Sequence, residues 1–206
     1  LLLDEPLAAL DAARKRQILP FLVRVRDACD VPIVYVSHDL AELLQLTDRL
    51  VVLDRGRVVG AGAYHDLSLS PDVLDRVLHL GLLNVLELVV CNHDQDTGVT
   101  RVAPEDGAFE LRVPICERPV GAPVTLLTRP EDVALSLEPV QRISVQNQIE
   151  GRVRRFAENA GRVVVEVDIG VPLLAELSRG SFERLGLAEG KTVLCLVKSS
   201  ALRLAR

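Results

Sequence analysis

The sequence predicts an α/β segment followed by an all-β region of the small-barrel kind. Two observations predict it. From Leu1 to about Leu80, short apolar runs alternate with stretches whose apolar residues recur at helical spacing, the pattern of a mostly parallel sheet with packed helices. After about Leu82, short β-rich runs follow one another with Gly and Pro between them. Composition agrees with a packed chain: of 206 residues, 49% are apolar and 26% charged. The net charge is −5 with both signs interspersed, so there is no basic footprint and no reason to expect nucleic acid as a partner.

Taken in order, Leu1-Leu2-Leu3 is an apolar strand end that runs into Asp4-Glu5-Pro6. Asp11 is an N-cap residue type, and Ile18, Leu22, Val25 and Cys29 fall on one face of the helix it would start. Pro20 predicts a kink in that helix, which Asp30 and Pro32 close. Ile33-Val34-Tyr35-Val36 is a short strand stopped by Ser37-His38-Asp39, and Leu40 to Leu46 is helical. Two strands, Leu50 to Leu53 and Val58 to Ala61, flank the hairpin signal Asp54-Arg55-Gly56-Arg57.

Further on, strands are predicted from Val85 to Val90, Thr100 to Val102, Phe109 to Val113, Val124 to Thr128 and Val133 to Leu137. Four more run from Ile149 to Phe156, Arg162 to Val167, Leu173 to Leu177 and Thr192 to Lys198, with a short helix at about Ser181 to Leu185. No strict internal repeat is visible. The predicted organisation is residues 1–81, a β-rich connecting segment 82–142, and a last domain 143–206.

The four cysteines, Cys29, Cys91, Cys116 and Cys195, form no CxxC pair and no zinc spacing, so they are expected to be buried reduced thiols. The apolar stretch from Leu80 to Val90 is too short to span a bilayer, and no signal-peptide pattern is seen. The chain has no Met and opens on Leu1, which is read as a truncated chain.

An apolar strand ending in Asp-Glu has a chemical use. At the carboxyl end of a parallel strand, Asp4 can hold Mg²⁺ through water, and Glu5 can polarise a water that attacks a γ-phosphate. Taken alone, Asp-Glu-Pro reads as the end of a strand and the start of a turn. It is followed, however, by Leu7-Ala8-Ala9-Leu10-Asp11 and, one helix and one strand later, by Val36-Ser37-His38-Asp39.

In order and spacing these segments resemble the ABC ATPase family. Leu1 to Pro6 is similar to its Walker B strand with Glu5 as the catalytic carboxylate. Leu7 to Asp11 is similar to the D-loop, where Asp11 would meet a partner subunit, and His38 to the switch-loop histidine that contacts the γ-phosphate. The resemblance implies ATP and Mg²⁺ as cofactors, a homodimer, and attachment to membrane permease subunits at the cytoplasmic face of a bacterial inner membrane. No GxxxxGK[ST] phosphate loop is present. The near match Gly186-Leu187-Ala188-Glu189-Gly190-Lys191-Thr192 is one residue short and leads into an apolar strand, where a cradle needs a helix N-terminus. The chain by itself is therefore not expected to hydrolyse ATP appreciably.

The last part, from about Ile143, opens with Ser144-Val145-Gln146-Asn147-Gln148-Ile149-Glu150-Gly151 and closes with Val197-Lys198-Ser199-Ser200. A short helix and turn, Ser181 to Leu187, lies between them. These stretches resemble the molybdate-binding Mop module, an OB-like barrel also called TOBE. The resemblance implies a bound oxyanion, molybdate or tungstate, with Ser144, Gln146, Asn147, Lys198, Ser199 and Ser200 as candidate ligands. A tetrahedral dianion is held by hydroxyls, N–H groups and cations at close range, which these residue types supply.

Gln146 stands where the family usually has Arg. Thr128-Arg129-Pro130-Glu131-Asp132-Val133 is similar to a stretch of importer regulatory barrels, and Ile18-Leu19-Pro20-Phe21-Leu22 to the molybdate branch. Together these resemblances imply the ATP-hydrolysing subunit of a molybdate ABC importer with a C-terminal molybdate sensor. The alternatives are a non-enzymatic molybdate or tungstate binder, and the ATPase subunit of a sulfate, sugar or iron importer.

Overall fold

The computed structural model describes residues 1–29 and 31–205, so the helix-closing role expected of Asp30 and the final residue of the last predicted domain lie outside the described residues. The chain forms two compact units that divide between Leu82 and Leu83.

In the first unit, β1 (Leu2–Asp4) pairs in parallel with β2 (Val34–Val36), and α1 (Ala12–Ala28) makes the crossover between them. Asp11 caps α1 as predicted, its side chain accepting from the Arg14 backbone N–H at 2.9 Å. The helix runs on through Pro20. Among its described side chains Leu19 is buried, at 5% exposure, whereas Ile18 stands 37% exposed. Leu7 and Leu46 pack on Leu19, with Leu22 and Val23 beside them, so the buried face lies one residue round from the predicted one.

After β2, α2 (Leu40–Leu46) has the predicted bounds. The hairpin is β3 (Arg49–Asp54) with β4 (Arg57–Ala63). Its two central residues, Arg55 at φ 48° and Gly56 at φ 76°, adopt the left-handed backbone that a two-residue hairpin turn demands. Two helices complete the unit, α3 (Tyr64–Leu67) and α4 (Pro71–Leu80). The second was legible but missed: Pro71 sits in its first turn, Gly81 follows it, and Val73, Leu74, Val77 and Leu78 make a buried face. Among the described residues no helix is long and apolar enough to cross a membrane.

The second unit holds β5 (Asn84–Asp94), β6 (Val99–Ala103), β7 (Leu111–Pro114), β8 (Pro123–Thr128) and β9 (Val133–Ser136). These are followed by β10 (Asn147–Asn159), β11 (Arg162–Asp168), β12 (Pro172–Ser178), α5 (Arg179–Arg184), β13 (Thr192–Val197) and β14 (Arg203–Leu204). The strands form two five-stranded sheets, ordered β12-β11-β10-β13-β9 and β14-β8-β5-β6-β7.

Read from β5 and from β10, these two orders are the same. Each sheet is built from four consecutive strands of one half of the unit and takes its last strand from the other half. The correspondence extends to detail. A bulge falls at Val90/Asn92 in β5 and at Val153/Arg155 in β10. A 3-10 turn, Pro130–Asp132 in one half and Ser199–Ala201 in the other, precedes the exchanged strand. One buried cluster contains residues of both halves, including Val102, Leu126, Val165 and Cys195. The unit is thus a duplicated fold, although its sequence shows no strict repeat.

The expectation of buried thiols is corrected by exposure. Cys29 and Cys91 are exposed and Cys116 is half-buried; only Cys195 is buried, and all four are free. Burial alone pushes the Cys195 thiol up to about 12.

Candidate functional site

In the first unit, the parallel β1–β2 pairing sets the geometry. Asp4 lies opposite Val36 at the strand ends, and the Glu5 backbone N–H donates to Val36 O at 2.9 Å. Glu5 is thereby placed beside the segment that follows β2. Its Oε1 lies 2.7 Å from His38 Nδ1 and accepts the His38 backbone N–H at 3.1 Å. Glu5 holds a left-handed backbone, φ 44°, which is uncommon outside glycine. The carboxylate raises the His38 pKa above its ordinary value of 6.5.

Behind this pair is a locked polar network. Asp39 caps α2 through the Ala41 and Glu42 N–H groups. Glu42, 4% exposed, receives the Tyr35 and Ser37 hydroxyls, each at 3.1 Å. Lys15 from α1 reaches Glu42 at 2.5 Å and Asp39 at 3.2 Å. The helix that begins at Asp11 and the turn that carries His38 are therefore tied through Lys15.

The pair makes a pH-dependent prediction. Because the His38 pKa is raised, its pairing with Glu5 is complete below the unfolded-state value near 6.5 and fades as pH rises through the higher folded value. Following the imidazole by NMR, we expect a midpoint above the ordinary histidine value, and Glu5→Gln should bring it down. An unmoved midpoint in Glu5→Gln would show that the two side chains are not paired in solution.

Asp4, Glu5 and His38 suit the water-activating and metal-holding side of a nucleotide site. Among the described residues no group of three or more His, Cys, Asp or Glu could by itself hold a metal ion, and no cradle for phosphates accompanies these residues. The loop at Gly186 is not one: Lys191 Nζ donates to Leu185 O at 2.6 Å and Gly186 O at 2.9 Å, closing the turn after α5.

In the second unit, the two halves of the predicted oxyanion site meet. Asn147 pairs with Val197 in the β10–β13 ladder, so Ser144 and Gln146 enter that ladder where Lys198 leaves it. Ser144, Gln146, Lys198 and Ser200 are exposed and Ser199 is half-buried.

Asn147 differs from the others. It is 3% exposed, and its side chain is a clamp across to β7 of the other half. Its Oδ1 accepts the Arg112 N–H at 2.7 Å, and its Nδ2 donates to Arg112 O at 3.0 Å. Asn84 does the same in the corresponding place, accepting the Leu174 N–H at 2.7 Å and donating to Leu174 O at 2.9 Å. The sequence marked Asn147 as a candidate ligand but gave no sign of this second role, because the partner lies 35 residues away in another strand.

Comparison with known proteins finds relatives of both units. Residues 143–204 match the TOBE domain family. Over 98% of its length the chain is 37% identical to the molybdenum import ATP-binding protein ModC 1 of Azotobacter vinelandii, covering 56% of that relative. It is 36% identical to ModC of Pseudomonas syringae pv. syringae, covering 98% of this chain and 56% of that one. It is 37% identical to ModC of Methylococcus capsulatus, covering 98% and 57%. The fold is also similar to the cytoplasmic molybdate-binding protein ModG in its molybdate-bound form, with a TM-score of 0.54 at 17% identity, over 59% of this chain and 94% of that one.

The chain thus presents an α/β unit followed by an OB-like barrel region with a TOBE match, and over nearly all of its length it is similar to ATP-binding proteins of molybdenum import. It spans about half the length of the ModC proteins to which it is similar.

Proposed function

We propose that the chain is part of the ATP-hydrolysing subunit of a molybdate ABC importer, with a C-terminal module that senses the transported anion. The observation that supports this most is the presence, in one chain, of the Glu5–His38 pair at the end of a parallel strand and of a TOBE module carrying Ser144, Lys198, Ser199 and Ser200. In this reading Glu5 polarises the attacking water, His38 contacts the γ-phosphate, and Asp4 holds Mg²⁺ through water. Mg-ATP would supply the phosphoryl group on which these residues act. Asp11 faces a second ATPase subunit across a homodimer, and the dimer sits on membrane permease subunits at the cytoplasmic face of the inner membrane. Molybdate that accumulates inside fills the barrels and holds the ATPase halves apart, which gives feedback on import. Tungstate, a tetrahedral dianion of nearly the same size, competes at the same place.

The test is isothermal titration of the chain with molybdate, with sulfate as control. Heat of binding for molybdate and none for sulfate is the expected result. Silence for both, or equal binding of both, would remove the molybdate-sensing part of this reading and leave the barrels as dimerisation elements.

A further inference from the structure

The duplicated fold allows a comparison that the sequence does not. Superposing one half on the other by strand pairing places Asn84 with Asn147, Arg129 with Lys198, and Leu174 with Arg112. The two equivalent locations have the same backbone clamp but opposite electrostatics.

Around Asn84, the cation Arg129 is neutralised by Glu131 at 3.1 Å, and the clamped residue is Leu174. Around Asn147, Lys198 has no acidic partner among the described residues, and the clamped residue is Arg112. Arg112 is exposed, and its guanidinium likewise has no partner among the described residues. The 3-10 turn Ser199–Ala201 packs against β7, the strand that carries Arg112. Directly across the β6–β7 ladder from Arg112 is Arg101, a like-charge pair that a sheet disfavours. Arg101 touches Glu110 at 3.5 Å, yet its Nε is buried without a hydrogen-bond partner. Two arginines abreast, one with an orphaned N–H, beside an unpaired lysine and two serines, form a place whose uncompensated charge is positive.

The geometry points to Arg112 as an oxyanion-binding residue, delivered by the first half of the unit to the Lys198–Ser199–Ser200 turn of the second, so that each chain holds one tetrahedral dianion and the equivalent place around Asn84 holds none. This rests on the oxyanion reading of residues 143–204 and adds to it a residue from outside that segment. An arginine fork suits the edge of a tetrahedral oxyanion, and a dianion needs more than the one charge of Lys198. The clamp uses only the Arg112 backbone, so replacing its side chain leaves the fold in place.

The experiment is titration of the whole chain with sodium molybdate for four proteins: the natural chain, Arg112→Gln, Gln146→Arg, and the two changes combined. We expect one molybdate per chain, affinity at least tenfold lower in Arg112→Gln with an unchanged melting curve, and recovery in the double variant. Unchanged affinity in Arg112→Gln, or two anions per chain, would overturn the inference while leaving the module an oxyanion binder. A silent natural chain with a binding Gln146→Arg variant would also overturn it, since Arg112 would not then supply the missing charge. If the natural chain and Gln146→Arg are both silent, the oxyanion reading itself falls.

Discussion

Asn84→Ala is expected to destabilise the second unit by about 4 kcal/mol, and Asn147→Ala by about 2 kcal/mol. Both side chains make the same two-bond clamp on a strand edge, so the difference lies in what is left behind. Leu174 is 3% exposed, and loss of Asn84 strands its N–H and C=O away from water. Arg112 is exposed, so water can reach the groups that Asn147 releases. An unsatisfied buried group costs about 1–3 kcal/mol, whereas one that water can reach costs only the net value of the bond. Urea unfolding followed by circular dichroism measures both, read as a shift in midpoint at constant slope. Equal losses in the two variants would mean that the clamps are equally wet; no loss in either would mean that the exchanged arrangement of strands is not held by these residues.

That pair of asparagines also marks where sequence reasoning stops. Local signals are faithful: Asp11 caps α1, α2 spans Leu40–Leu46, and the hairpin turn falls at Arg55-Gly56. Strand existence in the second unit follows from β-rich runs between turn residues, and every strand predicted there has a counterpart. The pairing partners do not follow. Strand β9 joins the sheet of β10 to β13, and β14 joins that of β5 to β8, because the hydrogen-bonding edges free to receive them belong to the other half. No local pattern encodes that choice.

The same limit explains the helix face. Ile18 and Leu19 are both apolar, and only the positions of Leu7 and Leu46 decide which is buried. For the sites, the sequence singled out Glu5 and His38 separately, and the parallel pairing of β1 with β2 brings the two side chains together. Arg112 was not singled out, because its relevance comes from a clamp and a ladder that lie outside the segment with the recognisable motif.

Corresponding positions of the two halves carry different charges. Arg101 in β6 sits where β11 has Glu166, and Asn92 sits where β10 has Arg155. In the second half the pair is an ion pair, with Arg155 Nε 2.7 Å from a Glu166 oxygen. In the first half the acid is an arginine facing an asparagine. The two halves keep one backbone plan but differ in which charged side chains they pair.

Arg155→Met is accordingly expected to destabilise the second unit by about 3 kcal/mol. Glu166 is 2% exposed, so removal of Arg155 takes a charge-assisted bond from a buried carboxylate. Arg155 itself is 39% exposed, and solvent screening puts the cost at the lower end of the range for a buried pair. Arg155→Met keeps the aliphatic stem that packs along the strand, so the loss reports the charge and its hydrogen bonds. Combining Arg155→Met with Glu166→Gln tests the cause, because the amide carries no charge to strand. Recovery of about half or more of the lost stability, measured by urea unfolding of all four proteins in the cycle, is the expected outcome. A double variant as unstable as the sum of its single changes would show that the two residues act independently, and the ion pair would then have no part in holding the duplicated barrel together.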